Sequence, residues 1–325
     1  MRVLVTGGAG YIGSVATAML LERGHEVVVV DNLQRGHRAA VSSHAEFVPC
    51  DLRDEEHTLS VVTASGAEAV LHFAALHLVP ESVSQPAEYF RTNVVGGMNL
   101  LDAVRSSGID KFVFSSTAAV YGEPEHLPIR EDSPTNPINP YGESKLMVEK
   151  ILTRYSEVYG INHAIFRYFN VAGSYGKLGE DHRPETHVIP VAIEAITGKR
   201  DTFTVFGTDY ATADGTAIRD YVHVQDLVEA HILVLDKLDT PQGVFNLGTR
   251  SGFSVSDVAR AVELTTDRAL PVAFGPRRAG DPPSLIADST RARTELGWNP
   301  IHSTLDLMIG SHWDWAVSHP DGYPV

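Results

Sequence analysis

The sequence predicts an α/β protein: a doubly wound parallel sheet with a second, smaller α/β domain. Three observations carry this. Short, continuously apolar runs alternate with helical periodicity through the first half of the chain, the pattern of strands covered on both faces by helices. The chain opens on a strand, a glycine-rich turn and a helix, MRVLVTGGAGYIG. From about Phe169 onward Gly, Pro and polar residues become dense, especially between 173 and 185, and the predicted elements shorten.

Val3, Leu4 and Val5 form the first buried strand, and Gly7, Gly10 and Gly13 follow at G-x-x-G-x-x-G spacing before an apolar-periodic helix through Leu21. Glycine at these places permits a tight turn, close approach of a ligand to the backbone and close helix packing. A helix N-terminus beyond the turn offers free N–H groups and a favourable dipole to a dinucleotide pyrophosphate. Residues 26–30 make a second strand, VVVV, ending in Asp31 and Asn32, eighteen residues past Gly13. An acidic side chain there can accept from ribose hydroxyls and repel a 2′-phosphate, favouring NAD over NADP; a loop or helix-capping aspartate is the alternative. Further strands are predicted at 46–49, 69–73 and 111–115. In such a sheet ligands sit beyond the carboxyl ends of the strands, which is where Asp51, Phe73, Ala74, Ala75, Ser115 and Thr117 fall.

Composition excludes other classes. The 325 residues carry 26 basic and 41 acidic side chains, a formal charge of −15, so neither nucleic acid nor an anionic membrane is an expected partner. Cys50 is the single cysteine; it has no disulfide partner and no CxxC mate for a metal, so a reducing compartment and no metal are expected. No apolar run approaches the roughly 18 residues of a membrane span, and the first strand begins without a signal-like segment. A cytoplasmic protein is the expectation.

The stretch Asn139-Pro140-Tyr141-Gly142-Glu143-Ser144-Lys145 opens a helix predicted to run to about Tyr159, with Asn139 as N-cap and Pro140 at the first helical position. Tyr141 and Lys145, four apart, project from one face. An ammonium near a phenol favours the phenolate, so the pair could act as a general base near neutral pH. Thr117 at a neighbouring strand end could bond the same substrate hydroxyl.

With GGAGYIG, VYG, NPYGESK, RYFNVAG, DGTAIRDYVHV, NLGT and RRAGD, nearly the whole chain resembles the extended short-chain dehydrogenase/reductases and, within them, the UDP-galactose (UDP-glucose) 4-epimerases. The resemblance implies a Rossmann NAD-binding domain over 1–170, joined by about 220–237, and a UDP-sugar domain over 171–325. It implies Thr117, Tyr141 and Lys145 as catalytic residues. It places NAD against Gly7, Gly10, Tyr11, Ile12 and Gly13, against Asp31, Asn32, Leu33, Gln34, Arg35 and Gly36, and against Asp51 and Leu52. On the same cofactor it places Phe73, Ala74, Ala75, His77, Asn93, Ser115 and Phe169, with Tyr141 and Lys145. The UDP-sugar is expected among Thr117, Asn170, His187, Val188, Phe206, Arg219, Arg278, Asp281 and Leu285. Two arginines on a diphosphate make independent physical sense, because guanidinium groups pair with phosphate oxygens through two donors.

The implied chemistry is reversible oxidation at the sugar C4, rotation of the 4-keto sugar and reduction on its other face. A dehydratase would need an acid and a base directly after Thr117, where this chain has Ala118 and Ala119. A dehydrogenase keeping the same residues but exchanging its cofactor, and a non-catalytic nucleotide sensor, are the other readings. The chain departs from the family pattern at His77, where many relatives carry lysine, at Pro80, where glycine is usual, and at Leu285, where a bulky tyrosine excludes N-acetyl sugars. His77 is read either as a donor to the nicotinamide or a phosphate, or as a plain pocket-lining residue. Leu285 is read as admitting UDP-N-acetylhexosamines, with refilling by neighbours as the alternative. A homodimer pairing 93–106 and 141–159 is the family expectation.

Overall fold

The computed structural model describes residues 1–277 and 282–324. The first half runs β1 (Arg2–Thr6), α1 (Tyr11–Glu22), β2 (Glu26–Asp31), β3 (Glu46–Pro49), α2 (Glu55–Ser65) and β4 (Ala69–His72). Two short helices, α3 (Val79–Ser84) and α4 (Pro86–Tyr89), lead through a widened turn into α5 (Gly96–Ser106). Then come β5 (Lys111–Thr117), the long α6 (Pro140–Tyr159) and β6 (Asn162–Tyr168). The second half contains β7 (Asn170–Ala172), α7 (Val188–Thr197), β8 (Phe203–Phe206), β9 (Ile218–His223), α8 (Val224–Leu235) and β10 (Gly243–Leu247). It closes with β11 (Gly252–Ser254), α9 (Val255–Thr266), β12 (Val272–Gly275), β13 (Ser284–Leu285) and α10 (Leu305–Ser318).

Seven strands pair in the order β10-β6-β5-β4-β1-β2-β3, all parallel. Successive residues of one strand feed opposite faces: Val3 and Val5 pack with Val27, Val29 and Leu71 on one side, Leu4 with Val28, Val30 and Val70 on the other. Both faces are therefore core, and unbroken valine runs are what such strands require. The order reverses between β1 and β4, which opens a crevice at their carboxyl ends. β5 continues two residues past the predicted end, to Thr117, because its register with β6 extends to Thr117 opposite Tyr168.

α6 starts where its local chemistry dictates. The Asn139 side chain accepts from the Gly142 N–H at 2.9 Å, Pro140 occupies the first turn, and Gly160 in the left-handed region ends the helix. In the second half, β9 pairs with β7, β11 and β13, and β8 pairs with β12. Ile189, Ile193, Phe203, Val258, Val262, Met308 and Ile309 form their common core. α8 and β10 lie elsewhere: Leu227, Val228 and Phe245 join Val15 and Met19 of α1 in the large sheet's core. Among the described residues no helix is long and apolar enough to cross a membrane.

Candidate functional site

The turn after β1 is built from backbone. The Gly7 N–H donates to Val30 O at 2.8 Å and the Gly10 N–H to Gly7 O at 3.1 Å. Gly7 has a φ of +74°, and a Cβ there would lie 2.5 Å from the Ala74 nitrogen; a Cβ on Gly13 would lie 2.2 Å from Gly7 O. Gly10 is looser, its nearest neighbour at 3.3 Å. α1 begins at Gly10 without any side-chain cap, so its first N–H groups remain directed at the cavity's end of the helix, the donor set an anion uses. The cradle therefore fits a dinucleotide pyrophosphate. Asp31 lines the cavity, and its oxygens accept from Ala9 N at 3.1 Å and Leu33 N at 2.8 Å. Burial raises its pKa and those backbone donors oppose the rise.

One cavity of about 1140 Å³ runs from this turn across the carboxyl ends of the strands to the second half, more than the roughly 300–1,000 Å³ of a single small-ligand pocket. It is lined by Gly7, Gly10, Tyr11, Ile12, Gly13, Asp31, Asn32, Gln34, Arg35, Gly36, Asp51, Leu52, Phe73, Ala74, Ala75, His77, Ser115, Thr117, Tyr141, Lys145 and Phe169. From the second half it takes Asn170, His187, Val188, Phe206, Arg219 and Leu285. Two expected cofactor residues do not line it. Leu33 turns to solvent, 38% exposed, and Asn93 is spent on structure. Its Oδ1 accepts from Leu76 N at 2.8 Å and its Nδ2 donates to Leu76 O at 3.0 Å and Ser144 Oγ at 2.9 Å, so it braces the 73–77 loop against α6. Arg278 and Asp281 lie outside the described residues.

In the cavity wall, the Tyr141 phenol stands near enough to the Thr117 hydroxyl to be influenced by it, and Lys145 Nζ, from the next turn of α6, donates to Ser115 O at 2.8 Å. Burial raises the Tyr141 phenol to about 12, against a smaller opposing effect of Thr117. Burial likewise lowers the Lys145 ammonium to about 7, with Glu149 pulling the other way. The expected lowering of the phenol by the ammonium is not seen in the chain's own groups: desolvation, which penalises both charged forms, is the largest influence on each. Glu149 is a residue the sequence reading missed, although it sits four positions beyond Lys145. Its carboxylate meets Arg167 at 2.7 Å with both side chains buried, and Ser116 Oγ donates to it.

The second-half wall is made of side chains from short elements. Leu285 stands opposite Arg219 in the β13–β9 register and packs with Ala118 and Phe169. Arg219 NH1 donates to Ile218 O at 2.8 Å, and Asn170 Nδ2 to Asp220 O at 3.1 Å. Arg35 is already engaged, donating to Glu81 and to Arg183 O. His77 lines the cavity against two other imidazoles: its ring lies 4.5 Å from that of His182 and 6.0 Å from that of His187, and burial with these neighbours holds its pKa well down. His187 Nδ1 turns to Glu185 Oε1 at 2.9 Å. Despite burial, Glu180 and Glu185 hold the His187 imidazolium well above the usual range. The signal for this cluster was legible as E-x-H-x-x-E-x-H over 180–187 and was overlooked for want of cysteine.

The model of the NAD dependent epimerase/dehydratase family matches residues 3–248. A UDP-glucose 4-epimerase of Lactobacillus helveticus is 49% identical, over 99% of both chains. A UDP-glucose 4-epimerase from Brucella ovis, solved in complex with NAD, superposes with a TM-score of 0.93 at 44% identity, covering 96% of this chain and 97% of that one. The UDP-Glc/GlcNAc 4-epimerase of Campylobacter jejuni superposes with a TM-score of 0.86 at 41% identity, covering 98% and 99%.

Proposed function

The chain belongs to the NAD dependent epimerase/dehydratase family, and from that premise we propose that it interconverts UDP-glucose and UDP-galactose by NAD-dependent epimerisation at C4. The observation that carries the reading is that Thr117, Tyr141 and Lys145, the last anchored on Ser115 O, line the same cavity as the glycine cradle. Residues 7–13 and Asp31 hold the dinucleotide, with Tyr11, Ile12, Asn32, Gln34, Arg35, Gly36, Asp51, Leu52, Phe73, Ala74, Ala75 and Phe169 around it. NAD, when bound, supplies the hydride acceptor and donor and a cationic ring that favours the Tyr141 phenolate. Tyr141, directly or through Thr117, takes the proton from the 4-hydroxyl as C4 becomes a ketone, and returns it after the sugar has turned over. Net oxidation is zero.

Ala118 and Ala119 line the cavity beside Thr117 and give the 4-keto sugar no carboxylate through which to lose water, which disfavours dehydration. Arg219, Asn170, Val188 and Phe206 take the UDP half, with Arg278 and Asp281 assigned there from the sequence resemblance. Leu285, smaller than a tyrosine, widens the sugar end, and N-acetylated UDP-hexosamines are the second substrate class it supports. The NAD domain covers 1–170 joined by about 220–237, and the substrate domain 171–325, from which β10 and residues 292–298 also pack with the large sheet. The enzyme works in a reducing compartment, the cytoplasm, consistent with a buried free Cys50, and as a homodimer through 93–106 and 141–159, where Met98 and Met147 are exposed.

Purified protein given UDP-galactose and no added cofactor tests the reading. UDP-glucose should accumulate to an equilibrium mixture; product formation only with stoichiometric added NAD would make it a dehydrogenase, and none under either condition would overturn it.

A further inference from the structure

We propose that Glu180, His182, Glu185 and His187 form a four-ligand site for a zinc-type divalent cation that clamps the loop leading into α7. All four side chains come from the run EDHRPETH, and each places one carboxylate oxygen or ring nitrogen within 4.8 Å of the others. His187 Nδ1 lies 2.7 Å from Glu180 Oε1 and 2.9 Å from Glu185 Oε1; His182 Nδ1 lies 2.9 Å from Glu180 Oε1 and 3.9 Å from Glu185 Oε2. Ligands at about 2.0–2.2 Å from a tetrahedral zinc stand roughly 3.3 Å apart, and these four separations bracket that distance.

Ion pairing alone does not satisfy the cluster. His182 Nδ1, close as it is to Glu180, makes no hydrogen bond among the described residues, and neither does Glu180 Oε2, although the Glu180 side chain is only 2% exposed. Native structures rarely leave such atoms unpartnered. A divalent cation answers both problems: it neutralises two adjacent buried carboxylates and gives the imidazole nitrogens an electron-pair acceptor. Mixed imidazole and carboxylate donors suit zinc and its first-row neighbours, whereas calcium and magnesium prefer oxygen throughout. Four protein ligands with none left open describe a structural site. Its orienting groups are in place, since the Thr186 and His187 N–H groups donate to Glu185 Oε1 at 2.6 and 2.7 Å. The cation would fix His187, the residue just before the first turn of α7, in the cavity wall.

Metal content is read without turnover, so the test stands apart from the epimerase reading. Protein purified without an affinity tag or chelator, passed through gel filtration and analysed by inductively coupled plasma mass spectrometry, should carry one zinc-type ion per chain. Chelator-stripped protein should bind Zn²⁺ with one-to-one stoichiometry and give the visible bands of four-coordinate cobalt with Co²⁺. His182→Asn and Glu185→Gln should each weaken Zn²⁺ binding at least ~100-fold, the upper end of what outer-sphere partners alone cost, while His44→Ala, an exposed histidine outside the loop, leaves it unchanged. Circular dichroism checks the fold of each variant, and if one misfolds the wild-type titration decides. Stripped wild type that binds neither ion stoichiometrically, or metal retained undiminished in both folded variants, overturns the proposal.

Discussion

The turn at 7–13 and the wall at 180–219 line one cavity, and different forces hold them. In the turn, backbone meets backbone: a Cβ at Gly7 or Gly13 would stand 2.5 or 2.2 Å from main-chain atoms, and the strands on either side are core on both faces. In the wall, position is set by side chains on short elements, such as Arg219 beside Leu285 and the histidines among Glu180 and Glu185. Packed backbone has one arrangement, so the cofactor half should tolerate almost no change. Side-chain walls can re-pack, so the substrate half should change specificity before it loses stability.

Gly7→Ala attacks the rigid side and should have the largest effect. It combines a left-handed φ with a backbone clash, and overpacking of this kind costs up to about 3 kcal/mol or more. NAD should be lost on gel filtration and the urea midpoint should fall; retention of both would break the contrast. Tyr141→Phe should keep NAD and UDP binding and the unfolding midpoint, yet lower kcat by at least ~10²-fold, the usual contribution of general acid–base catalysis. Near-normal turnover would remove Tyr141 from the chemistry.

Lys145 gives a pH signature. Its pKa is about 7 in the folded chain against 10.5 ordinarily, so between those values the unfolded chain binds more protons. The penalty for burying the ammonium is complete below pH 7 and is relieved as pH rises toward 10.5. The stability of wild type relative to Lys145→Met should therefore rise by a few kcal/mol across that window, measured by urea unfolding at several pH values; a flat difference would show that Lys145 is not desolvated. The smallest effect is expected on the soft side. Leu285→Tyr should lower turnover of UDP-N-acetylglucosamine by ~10-fold or more, within the range of apolar pocket discrimination, and leave UDP-glucose turnover and stability nearly unchanged. Equal loss on both substrates would mean the wall is as rigid as the turn.

What was readable followed the same division. Gly7, Gly10 and Gly13, Asp31 at the end of β2, and Tyr141 with Lys145 one helical turn apart all obey rules that act within a few residues. Asn93 and Leu33 obeyed none that distinguish a ligand contact from a brace or a solvent-facing turn: Asn93 meets Leu76 and Ser144 only when α6 packs on the 73–77 loop. Glu149 was hidden for a similar reason, because Arg167 reaches it from β6.

Read by itself, the amino-acid order determined the parallel sheet, the glycine turn and the Tyr141–Lys145 face, since strand burial, backbone sterics and helix periodicity are local. Only the tertiary structure decided that His77, from the loop after β4, lies against His182 and His187 from the second half, and that buried Lys145 and Tyr141 are both pushed toward their neutral forms. Contacts between distant segments and the loss of water around them exist once the chain has closed on itself, and spacing along the chain measures neither.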